Sequence, residues 1–88
     1  MTQQLCITLR VNNHPGVITR IAGLFARRAY NLEGISCFPI GETGCSRLQL
    51  FVNQDQPLEQ ITKQLEKLYD VLSLKMEPVD ARIAIEDD

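Results

Sequence analysis

Asn13-His14-Pro15-Gly16-Val17 and Asn31 are the residues of this chain whose types and spacing point to chemistry. The first segment leaves a stretch of strand-like alternation and opens one of helical spacing. A Pro near the first helical position, beside a Gly with no side chain, leaves backbone N–H groups exposed at the positive end of a helix. Such an end holds a carboxylate without a cationic side chain. Asn31 opens the next strand, and its amide both donates and accepts, so its oxygen can take a hydrogen from an ammonium group. Carboxylate and ammonium together describe a free amino acid, and the pattern points to a sensor rather than a catalyst. Each residue also has a plainer reading. Pro-Gly makes an ordinary helix-start turn, Asn31 is equally a helix-stop residue, and His14 fits as a turn residue.

Other chemistries find less support. Cys6, Cys37 and Cys45 form no Cys-x-x-Cys pair, and His14 is the single histidine, so no metal-ligand cluster can be assembled. Cys6 and Cys37 read as small strand residues. No catalytic residue is assigned. An acylphosphatase-like enzyme would need an Arg in the first loop to cradle phosphate, and Asn12 to Val17 contains none.

The elements that must position these residues follow from periodicity. Leu5, Ile7, Leu9 and Val11 alternate with Cys6, Thr8 and Arg10, as in a half-buried strand. Val17, Ile18, Ile21, Leu24, Phe25 and Arg28 recur at helical spacing, giving an amphipathic helix from Pro15 to Ala29. A second strand is expected from Asn31 to Ile40. The turn Gly41-Glu42-Thr43-Gly44 leads to a third at Arg47 to Asn53. Pro57 then starts a helix with Leu58, Ile61, Leu65 and Leu68 on one face, and Val71, Leu72, Leu74 and Met76 form a fourth strand.

The order βαββαβ predicts an α+β, ferredoxin-like sandwich, a four-stranded antiparallel sheet with two helices on one face. One domain over 1–78 is expected, with a tail over 79–88 in which Arg82-Ile83-Ala84-Ile85 offers a short edge strand before an acidic end. The other sheet face, with Cys6, Thr8, Arg10, Arg47, Gln49 and Phe51, is too polar for a second core and less charged than a solvated face. Open edges and small size predict self-association, with a docking surface for another protein as the extension.

Composition bounds the partners. At 44% hydrophobic and 23% charged the chain is an ordinary globular protein. A net charge of −2 argues against nucleic acid, which requires a cationic footprint. The absence of a membrane-length apolar run, and of a signal pattern, makes cytoplasmic residence the expectation.

The segment from Asn13 to Gly34, with Gly23-Leu24-Phe25-Ala26-Arg27-Arg28 running into Tyr30-Asn31-Leu32-Glu33-Gly34, resembles the regulatory (small) subunit of acetohydroxyacid synthase, an ACT-domain family. Leu58-Glu59-Gln60 and Gln64 to Val71 agree with it, so that the resemblance runs from about Leu5 to Met76. It implies a non-catalytic partner of a catalytic subunit that condenses pyruvate with a second 2-oxo acid at the start of branched-chain amino acid synthesis. Thiamine diphosphate, Mg and FAD are expected on that subunit and no cofactor on this chain. The resemblance further implies activation of the catalytic subunit, edge-to-edge homodimers, and feedback inhibition by valine held between the first loop of one copy and the second strand of its neighbour. Residue by residue it implies Asn13, Gly16 and Asn31 as contacts, with His14, Pro15, Val17 and Ile18 as loop-shaping or backbone positions. The chain looks like the short, single-domain type. The alternatives are a stand-alone ACT module for another amino acid and, with less support, an acylphosphatase-like small enzyme.

Overall fold

Strand β1 (Gln4–Asn12) leads to helix α1 (Val17–Arg27) and strand β2 (Gly34–Pro39), and strand β3 (Cys45–Asn53) leads to helix α2 (Leu58–Glu66) and strand β4 (Val71–Pro78). These elements belong to a computed structural model that describes residues 3–79. The sheet order is β2-β3-β1-β4 with every neighbouring pair antiparallel. This is the expected ferredoxin-like βαββαβ architecture. The possible edge strand at Arg82-Ile83-Ala84-Ile85 lies outside the described residues.

Period-two patterning decides which sheet face is covered. Leu5, Ile7, Leu9 and Val11 of β1 pair with Val52, Leu50, Leu48 and Ser46 of β3, and all eight are buried. Val17, Ile21, Leu24 and Phe25 of α1 and Ile61 and Leu65 of α2 complete the same core. Both helices therefore lie on that face, and the intervening strand residues look outward. Among the described residues no helix is long and apolar enough to cross a membrane.

The third strand begins at Cys45 rather than Arg47, and both ends of α1 and the start of β2 differ from expectation for local reasons. Helix α1 starts at Val17 rather than Pro15, because the His14 carbonyl accepts the Val17 N–H (3.2 Å) and Gly16 has φ 87° and ψ −3°. That geometry is a type II turn, with Pro15 and Gly16 at the positions that favour Pro and Gly. Pro15 thus shapes the turn before the helix instead of occupying its first position. The helix ends at Arg27 rather than Ala29, because Ala29 takes the left-handed conformation (φ 58°). The Tyr30 N–H then bonds the Phe25 carbonyl (2.9 Å) and the Ala29 N–H that of Ala26 (3.2 Å). These two bonds form a Schellman cap, closed by edge-to-face packing of Tyr30 on Phe25 with ring centroids 5.9 Å apart. The chain then runs through Asn31 outside any strand, and β2 begins at Gly34 instead of Asn31.

Candidate functional site

The β1–α1 loop lines a depression of about 330 Å³. Its walls include Asn13, His14, Pro15, Gly16, Val17 and Ile18, together with Asn12, Thr19, Cys37 and Ser46. Six of the seven residues singled out in the sequence thus lie around one hollow. Helix α1 supplies its polar end. The Val17 N–H is taken by the turn and the Arg20 N–H by the Gly16 carbonyl (2.8 Å). Between them, the amides of Ile18 and Thr19 have no acceptor among the described residues, and the helix carries no side-chain cap. Two unsatisfied donors at the positive end of a helix suit an anionic group such as a carboxylate.

Gly16 is required here for its backbone rather than for space. A Cβ built at this position meets nothing within 4 Å, whereas its φ of 87° is one that L side chains rarely adopt. Within this chain the type II turn by itself accounts for the glycine.

Asp70 holds the loop in place, a role that no sequence pattern signals. Its buried carboxylate receives Arg20 Nη1 at 2.8 Å on Oδ2, and it meets His14 Nδ1 at 3.0 Å and Asn12 Nδ2 at 3.4 Å on Oδ1. The Asp70 carbonyl also accepts the Asn12 N–H (2.9 Å), and the Gly44 carbonyl accepts that of Asn13 (2.8 Å). Donors on both sides of the Pro15-Gly16 turn thus converge on one residue 50 or more positions away in the chain. The His14 ring faces this carboxylate, so its part in the site is to brace the loop. The Asn13 side chain, exposed and without a partner among the described residues, remains available to a ligand.

Asn31 is not brought to this depression. It precedes β2 at the end of the sheet where the Glu33 N–H bonds the Phe51 carbonyl, whereas the hollow lies at the Asn12–Cys45 end. Asn31 lies six positions before Cys37, about 20 Å of extended chain. Its position is nonetheless fixed. The Asn31 N–H donates to Gln56 Oε1 (2.5 Å), Gln56 Nε2 donates to the Asn31 carbonyl (2.7 Å), and Asn31 Nδ2 donates to Glu33. The Asn31 Oδ1 is left as an acceptor. Ile35 does not line the hollow. No group of His, Cys, Asp or Glu among the described residues could hold a metal ion.

Residues 7–73 match the family described as the AHAS small subunit-like ACT domain. The chain belongs to this family. It is 50% identical over 74 residues to the acetolactate synthase isozyme 1 small subunit of Escherichia coli K12, covering 84% of this chain and 77% of that one. It superposes on the acetolactate synthase small subunit of Thermotoga maritima with a TM-score of 0.71 and 38% identity, covering 90% of this chain and 48% of that one. The ACT domain from GTP pyrophosphokinase of Chlorobium tepidum shares the fold alone, with a TM-score of 0.68 at 15% identity over 88% of this chain and all of that one. Both acetolactate synthase matches are to small subunits.

Proposed function

We propose that this chain acts in the cytoplasm as the regulatory subunit that activates an acetolactate synthase catalytic subunit, and that it binds valine between two of its own copies to impose feedback inhibition. The observation that carries the reading is the depression at the α1 N-terminus, with the unpartnered amides of Ile18 and Thr19 beside the unpartnered side chain of Asn13. The amides take the carboxylate, the Asn13 oxygen an ammonium hydrogen, and Val17 contributes apolar wall.

A second copy supplies what one chain lacks. Strand β2 lies at the edge of the sheet, with Ile35 and Phe38 exposed along it and Ile18 nearby on α1. Pairing two β2 edges antiparallel about a two-fold axis lays the start of one strand beside the end of the other. Asn31 of one copy then approaches the Cys37 end of its neighbour, where the depression lies. The Asn31 Oδ1, left as an acceptor, can receive the remaining ammonium hydrogens. A ligand held by both copies stabilises the paired arrangement, and this differential binding is what feedback requires.

Valine has about eight heavy atoms; at roughly 0.7 kcal/mol each, the dissociation constant is on the order of 100 μM. One methylene gives only ~1–3 kcal/mol of discrimination, so leucine and isoleucine bind more weakly without being excluded. Gly16→Asp tests the reading on the holoenzyme. Asp tolerates positive φ better than most residues, so the loop still forms, with a carboxylate beside the receptor amides. Activation of the catalytic subunit is expected to persist while valine inhibition is lost. Retained inhibition by valine would refute the loop as the site.

A further inference from the structure

The sheet face that carries no helices has an ordered arrangement of its own. Strand register sets Phe38, Arg47, Arg10 and Ser73 side by side in one row across the four strands. The adjoining row is Ser36, Gln49, Thr8 and Lys75, and the next is Gly34, Phe51, Cys6 and Glu77. Arg10 and Arg47 are therefore direct cross-strand partners on the two central strands, and both are exposed. Among the described residues neither meets a carboxylate, and the face's one acid, Glu77, lies 3.6 Å from Lys75. Like charges set directly opposite each other destabilise a sheet, so the fold gains nothing from this pair. Beside it, Phe38 leaves 58% of its surface exposed.

This cationic row stands on a chain whose net charge is −2. A second copy stacked face to face would bring four guanidinium groups together, which argues against self-association through this surface. Few cations and an acidic chain argue against nucleic acid. Guanidinium groups are suited to paired hydrogen bonds with carboxylates, and Arg beside an exposed aromatic ring is a composition typical of the residues that anchor protein interfaces.

We propose that the Phe38–Arg47–Arg10 row is the docking surface for a carboxylate-bearing patch on the catalytic subunit. The proposal rests on the reading of this chain as a regulatory subunit, and it places the docking surface on the sheet face opposite the helices, apart from the first-loop depression.

The test measures association of this chain with the catalytic subunit by calorimetry at low and at physiological salt, alongside thermal unfolding of the chain alone. Arg10→Glu sets a carboxylate opposite Arg47 and relieves the repulsion. It is expected to leave the melting temperature equal or raised while weakening association at least tenfold, a combination that a merely structural role would not give. Arg10→Gln/Arg47→Gln removes both charges without adding an acid, and is expected to weaken association to a similar degree with a reduced salt dependence. The exposed Lys63 of α2 serves as control, and Lys63→Glu is expected to change association less than twofold. Wild-type affinity with both arginine variants unchanged would overturn the proposal while leaving the regulatory-subunit reading intact. Failure of the wild-type chain to bind the catalytic subunit would overturn both. A change in the chain's own oligomeric state in Arg10→Glu, or binding of an RNA oligomer at physiological salt that the variant loses, would overturn it in favour of a second copy or a nucleic acid.

Discussion

Arg20 and the Arg10–Arg47 pair are all exposed arginines, yet the fold surrounds them in opposite ways. Arg20 sits 2.8 Å from a buried carboxylate that also meets His14 and Asn12. Arg10 and Arg47 face each other across β1 and β3 with no carboxylate among the described residues. At the first loop, charge is neutralised inside the chain and sets geometry, so that what remains for a ligand is backbone amides and the Asn13 side chain. On the open sheet face, charge is held on the two central strands with no ion pair among the described residues. The contrast distinguishes charges that build the molecule from charges available to something outside it.

The largest effect is expected where charge builds. Asp70→Ala removes the acceptor shared by Arg20, His14 and Asn12, and hydrogen bonds to a charged group contribute about 1.5–3 kcal/mol. Because Arg20 and His14 can return to water, a total loss of about 2 kcal/mol is expected, read by denaturant unfolding at fixed protein concentration. A loss under about 0.5 kcal/mol would put Arg20 in the same class as Arg10. Gly16→Val is next. A β-branched residue forced to positive φ costs roughly 1–2 kcal/mol, and the same unfolding experiment should show it even though the side chain has room. Arg47→Gln is expected to be smallest, a gain of up to about 0.5 kcal/mol over wild type. A clear loss would mean that Arg47 has a partner within the fold, which would erase the comparison.

How far the sequence foretold these regions depends on the range of the interactions involved. The strands and the core were legible because period-two and helical spacing are local signals, and Ile7, Leu9, Leu48 and Leu50 are buried as their alternation requires. The depression was legible in the Asn13 to Ile18 segment because Pro-Gly chemistry acts over four residues. Asp70 was not legible. It contacts Arg20 across 50 positions and Asn12 across 58, and a single carboxylate beside Tyr69 carries no pattern that names its partners. The end of α1 was misplaced because Ala is a strong helix former, and its left-handed conformation at position 29 is imposed by the packing of Tyr30 on Phe25. The Arg10–Arg47 apposition needed the register of β1 on β3, which alternation alone leaves open to shifts of two residues. Asn31 was placed at a strand start by its position after the helix; the side chain of Gln56, 25 residues on, holds it in a loop.

In the proposed function, the Ile18 and Thr19 amides of one copy and Asn31 of another enclose one valine molecule. Titrating isotopically labelled protein with valine, and following backbone and side-chain amide resonances, tests it most directly. The Ile18 and Thr19 backbone signals and the Asn31 side-chain signal are expected to shift together, along one saturation curve and at one valine concentration. Shifts at the loop with an unmoved Asn31, or no shift at either up to millimolar valine, would contradict it.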